Sequence, residues 1–245
     1  MSNQGVTKCL GHIYQCGDGL DNDNDGLTDA QDPDCLGPCD NTEDSYYGGI
    51  PGQNNAPCRQ DCYFDQDTGP GNDDCFWSHS CDPLSRPPDY LPSGDNKCSY
   101  NLNATIPGTS QSCSALMQAQ SPTCSGYCGP LTPNGCDCFG CCELPAGSGK
   151  FVWLGSTDTG VGSCDAANVG DATKCHPCTP VKSCFNDCGP CEVCIGRSKV
   201  PAGCKPDSGT AHQCGPADQS CGQPGEAACP ANYYCITGCC KPIPA

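Results

Sequence analysis

The chain is short of the residues that build an ordinary protein core. Ile, Leu, Val and Phe make up 29 of its 245 residues, well under the share at which apolar burial alone sustains a fold. No run of about 18 apolar residues occurs, so no segment is expected to span a membrane. Basic residues are scarce too: 11 Lys and Arg stand against 28 Asp and Glu, a net charge of −17. With no basic stripe to neutralise phosphates, nucleic acid is not an expected partner. Only four histidines exist, His12, His79, His176 and His212, and none lies in a motif with a nucleophile. The opening "MSNQGVTKCLGHIYQ" has neither an apolar h-region nor a small-residue cleavage site, so it is not read as a secretory leader. Met1 is taken as a renumbered mature end or an added start.

What the chain does have is cysteine. With 31 Gly and 24 Pro favouring turns, the rest of the composition would read as disordered. Thirty cysteines place it instead among disulfide scaffolds. The number is even, so up to fifteen bridges can form. Each stabilises by roughly 2–4 kcal/mol, chiefly by restricting the unfolded chain. Bridges in such numbers persist in an oxidising compartment, so the expected location is extracellular or at a cell surface. The expected fold class is a small disulfide-rich one, mostly irregular, with short β-strands and few short helices.

Acid is unevenly spread. Residues 1–100 hold 17 Asp and one Glu, Glu43, against Lys8, Arg59, Arg86 and Lys97. A merely solvated acidic surface would mix Glu with Asp, and this preference for short, stiff Asp points to cations. Four zones follow from composition: 1–40 with an Asp loop, 41–100 acidic and punctuated by Gly and Pro, 101–163 central, and 164–245 dense in cysteine. The central zone contains "SCSALMQAQ", the best helix candidate, and "GKFVWLGS", the best strand candidate. No fixed repeat period recurs.

The most specific signal is "CGDGLDNDNDGLTDAQDPDC" at 16–35. With Asp21 at position 1 of a twelve-residue calcium loop, Asp23 falls at 3, Asp25 at 5, Gly26 at 6, Leu27 at 7, Asp29 at 9 and Asp32 at 12. The template asks for oxygen at 1, 3, 5, 7 (a backbone carbonyl), 9 and 12, with Gly at 6 for the sharp turn. Asp21, Asp23, Asp25, Leu27, Asp29 and Asp32 are therefore the expected metal ligands and calcium the expected cofactor. Position 12 departs from the template, being Asp and not Glu, and Pro33 stops any exit helix. Cys16 and Cys35 are expected to fix the loop's ends, bonded to each other or to neighbours. The bland alternative is an Asx-rich turn without metal.

This loop resembles the single Asp-rich calcium loops of dockerins and thrombospondin type 3 repeats. The whole string also resembles a metal-binding motif of Cys-rich secreted bacterial surface proteins, of the kind found in myxobacteria. The strings "DCYFDQDTGPGNDDCFW", "CGPLTPNGCDCFGCC" and "KCHPCTPVKSCFNDCGPCEVCIG" resemble parts of proteins of that group. The resemblance implies an extracellular location and a metal role, but no activity.

A second acidic cluster, Asp61, Asp65, Asp67, Asn72, Asp73 and Asp74, is a possible further metal site, with an acidic surface loop as the alternative. Cys175, Cys178, Cys184, Cys188, Cys191 and Cys194 include C-x-x-C pairs that would suit zinc in a reducing cell. Among thirty cysteines they are read as disulfide partners. An iron–sulfur run fails at Ser198. The adjacent pairs Cys141–Cys142 and Cys239–Cys240 are expected to bond to distant cysteines, because vicinal bridges strain the backbone. "AGSGKF" misses the phosphate-loop template at Leu144 and Phe151.

No enzyme is expected. The sequence reads as an extracellular, disulfide-crosslinked, calcium-stabilised structural or adhesive protein. Ordered ends in so core-poor a chain would need neighbours, so self-association into a filament or layer is the expected assembly. A secreted monomeric binding module, inhibitor-like or toxin-like, and a Cys-rich metal-sequestering protein are the alternatives.

Overall fold

A computed structural model describes residues 6–49, 58–67, 73–85, 89, 96–106, 109–158, 161–197, 199–200, 202–204, 214, 218–222 and 225–244. Residues 1–5 and 245, on which the expectation of ordered ends rests, lie outside them, as does Asn72 of the second acidic cluster.

Regular structure is sparse, as composition predicts. Two helices, α1 (Cys113–Gln118) and α2 (Pro122–Leu131), are the only α-helices among the described residues. Among the described residues, six short strands form three separate antiparallel pairs: β1 (Arg59–Gln60) with β2 (Trp77–Ser78), β3 (Cys141–Glu143) with β4 (Phe151–Trp153), and β5 (Tyr233–Ile236) with β6 (Cys239–Pro242). The rest is turns, single 3-10 turns and irregular chain.

Both sequence-predicted elements form, as α1 and β4. Helix α1 is capped by Ser112, whose hydroxyl accepts from the Ala115 amide at 3.3 Å. Helix α2 begins on a Ser-Pro start: Ser121 Oγ accepts from the Cys124 amide at 2.9 Å and Pro122 occupies the first helical position, where its missing N–H costs nothing. The helix places Cys124 and Cys128 four residues apart and so on one face. They bond to Cys75 and Cys62. One helical face thus staples both ends of the 62–75 segment.

Fourteen disulfides form, and Cys138 and Cys184 remain thiols. Sulfur replaces hydrocarbon in the core itself. One buried cluster gathers Trp77, Ile106, Leu116, Phe139 and Val181 with seven cysteines. The larger one joins Leu36, Tyr46, Tyr63, Phe64, Leu144, Val152 and Leu154 to four more. Three bridges join the 41–100 and 101–163 zones, Cys62–Cys128, Cys75–Cys124 and Cys81–Cys113, and Cys141–Cys178 joins 101–163 to 164–245. The two bridges of residues 1–40, Cys9–Cys39 and Cys16–Cys35, are internal to it.

No adjacent pair bonds to itself: Cys141 bonds to Cys178 and Cys239 to Cys214, 37 and 25 residues away, but Cys240 bonds to Cys229 at 11 residues and Cys142 to Cys136 at only 6, closer than the distant partner expected. Cys175, Cys178, Cys188, Cys191 and Cys194 are all bridged, none to its C-x-x-C neighbour. Cys184 is the exception to the expected pairing. Its sulfur accepts from the Cys138 amide at 3.2 Å, while the Cys138 sulfur lies 3.7 Å from the Cys184 carbonyl oxygen.

Candidate metal centre

The Asp loop is tied at both ends by a direct Cys16–Cys35 bridge. Within it, short Asx side chains fold the backbone by accepting amides two residues on: Asp23 from Asp25 at 3.0 Å and Asp25 from Leu27 at 2.7 Å. Asp21 reaches across the turn to accept from Gly26 at 3.1 Å. Gly26 has φ +95°, a left-handed conformation that glycine adopts without strain. The position-6 glycine is thus required by the turn.

The predicted ligands do not all gather at one point. Ligand oxygens of Asp21, Asp23 and Glu43 lie within 4.8 Å of one another, and Glu43 approaches Asp32 within the same limit. Leu27 sits in the same turn, its amide donating to Asp25. Asp29 is taken up differently. Its backbone is left-handed (φ +48°) and its carboxylate accepts from the Gly19 amide at 3.1 and 3.3 Å.

Glu43 is the residue that the template omits. It is 1% exposed, and it accepts from the Asn22 amide at 2.6 Å and the Asp29 amide at 2.8 Å. It therefore meets the loop from outside, between Asp21 and Asp23 on one side and Asp32 on the other. Its one sequence signal was being the single glutamate among residues 1–100.

The electrostatics are those of an unneutralised site. Asp32 is 4% exposed and its Oδ2 has no hydrogen-bond partner. Burial, then repulsion from Asp25, Asp23 and Glu43, pushes its pKa up to about 6. Burial likewise raises Glu43 and Asp29. Nearby Asp34 is pushed up to about 7, mainly by burial, although its carboxylate accepts from Ala166 at 2.7 Å. The ion pairs found among the described residues, Lys174–Asp158, His176–Asp89 and Lys241–Asp218, all lie elsewhere. The oxygen-only donor set fits a hard cation such as calcium; Cys35, close to Asp32 and Glu43, is locked in its disulfide and offers no thiolate.

The loop also anchors distant chain. The Tyr234 hydroxyl, in β5, donates to the Cys16 carbonyl at 2.9 Å. The C-terminal hairpin therefore rests on the frame of the acidic loop.

The second cluster is more deeply set. Asp61, Asp65 and Asp73 are 3%, 1% and 0% exposed, so these three are not a surface loop. Asp67 is half-buried and Asp74 exposed.

Histidine chemistry, invisible in the sequence, is assembled in one interior pocket lined by Trp77, His79, Asp89, Asp137, Trp153 and His176 among others. Ser85 Oγ lies 2.9 Å from His79 Nδ1. The nearby carboxylate of Asp89 is engaged by His176 Nδ1 and by the Thr157 amide. These groups line a space of about 20 Å³, enough for about one water molecule.

No protein-family model matches the chain, and no curated protein or solved structure is significantly similar to it.

Proposed function

We propose that the protein is an extracellular, disulfide-crosslinked structural or adhesive protein, stabilised by calcium at the Asp loop and assembling with copies of itself. The observation that carries the reading is Asp32 Oδ2, buried without a partner beside Glu43. An uncompensated buried carboxylate is costly, and a bound divalent cation removes that cost. Asp21, Asp23, Asp32 and Glu43 would hold the ion, with Asp25 close by to add charge. Because no disulfide leaves residues 1–40, the ion supplies a crosslink to Glu43 that sulfur does not. Metal binding and ordering of the loop are then one equilibrium.

Fourteen bridges and the lack, among the described residues, of any helix long and apolar enough to cross a membrane support the extracellular part of the reading. The pairing of 28 cysteines leaves two thiols, which speaks against a thiolate sponge for soft metals. Self-association is supported by Val6, Ile13 and Leu20, all at least half exposed along the segment that carries the loop.

Sedimentation velocity tests the assembly. Species larger than the 25.3 kDa chain are expected at about 1 mM calcium, the range of extracellular modules, and they should dissociate in chelator. A monodisperse monomer in calcium would overturn self-assembly and favour a monomeric binding module.

A further inference from the structure

Between β1 and β2 in the chain lies a second convergence of oxygen. Asp61 directly follows β1, and Asp65 and Asp73 lie between β1 and β2 in the chain. Ligand atoms of Asp65, Asp73 and Cys62 lie within 4.8 Å of one another. The Cys62 sulfur is bonded to Cys128, so the available donors are carboxylate oxygens.

Each of the two central carboxylates has one oxygen engaged and one not. Asp65 Oδ1 accepts from the Asp67 amide at 3.2 Å, while Oδ2 is buried without a partner. Asp73 Oδ2 accepts from the Cys62 amide at 3.2 Å, while Oδ1 is buried without a partner. Asp61 lies close enough to act on the Asp73 side chain. The charged neighbours acting on Asp65 are Asp67, Asp61 and Asp73, all acids. Arg59, at the start of β1, turns its guanidinium to the Phe76 ring, 4.4 Å from the ring centre, with Nε and Nη2 unpaired.

Protonation alone does not satisfy this arrangement. A neutral carboxyl brings an O–H that needs an acceptor, and the open oxygens of Asp65 and Asp73 neither donate nor accept. Orphaned polar atoms this deeply buried are rare in native proteins. A hard cation accepts both oxygens at once.

We propose that Asp65 and Asp73, with Asp61, form a second, buried calcium site, distinct from the Asp loop and beside the Cys62–Cys128 bridge. The site welds together the 62–75 segment, which the Cys62–Cys128 and Cys75–Cys124 bridges fix to α2. Held by buried carboxylates, its ion exchanges more slowly than the ion of the partly exposed loop.

Equilibrium dialysis against calcium at pH 7.5 tests this on the intact, disulfide-bonded protein and on two variants. The wild type is expected to bind two ions per chain, the loop variant Asp21→Asn/Asp23→Asn one, and Asp65→Asn/Asp73→Asn one. The loop variant keeps the test informative if the second variant fails to fold. A single wild-type ion, abolished by the loop substitutions, overturns the buried site and leaves the loop reading intact. A single ion untouched by the loop substitutions supports the buried site and overturns the loop. No binding at all overturns both.

Discussion

Glu43 Oε2 accepts the backbone amide of Asn22 at 2.6 Å across 21 residues of sequence. This bond brings a carboxylate from outside the twelve-residue loop to the place where a longer side chain is wanted. Asp32, a methylene shorter than the usual glutamate, keeps one oxygen unsatisfied beside it. Glu43→Gln retains an acceptor for one amide but removes the charge. It should weaken calcium binding by about tenfold or more, because ligand charge sets affinity in such sites. Calorimetric titration checks this, and unchanged affinity would remove Glu43 from the site.

The Cys16–Cys35 bridge closes a separation of 19 residues around the loop. Replacing both with Ser should cost about 3 kcal/mol of stability from released chain entropy. It should also weaken calcium binding, since the ion would then have to order a free loop. Melting and titration of the double variant measure the two effects separately.

Cys138 and Cys184 should be the only cysteines alkylated when the protein is denatured without reduction. Their neighbouring placement, with the Cys138 amide 3.2 Å from the Cys184 sulfur, predicts one further change. A small disulfide reagent should close them into a fifteenth bridge, its two halves leaving as thiols. Peptide mapping reads the label; label at any other cysteine would contradict the pairing.

His79 is 2% exposed, and burial lowers its pKa to about 3. In the unfolded chain the imidazole takes up its proton near pH 6.5. The unfolded state therefore binds more protons between these values. The stability contributed by the neutral ring is present above about 6.5 and lost as pH falls toward 3. His79→Gln should flatten this dependence: between pH 7 and pH 4 the wild-type melting temperature should fall further than the variant's. Parallel falls would show that His79 does not carry the acid sensitivity.

Much of the architecture was legible because sulfur and turn residues act locally. Thirty cysteines with few aliphatics predicted a bridged, irregular chain, and the Asp21–Asp32 spacing predicted the turn that Gly26 makes. Helix α2 was not foreseen, because Gly126, Gly129 and Pro130 disfavour a helix that starts on the Ser121 cap and Pro122. Glu43 was hidden for a different reason. Its approach to the loop depends on the fold of residues 35–42, where Asp40 accepts from the Leu36 and Thr42 amides, and no linear template contains that. The partners of the cysteines were equally out of reach, since separations run from 6 to 66 residues.

Thermal melting with and without a calcium chelator, disulfides intact, reaches the core of this account. If an ion and sulfur bonds stand in for missing hydrocarbon, chelation should lower the melting temperature by several degrees, and returning calcium should restore it. Superimposable melts, with magnesium, calcium or chelator alike, would mean that the acidic loop holds its shape unaided and that no metal takes part in the fold.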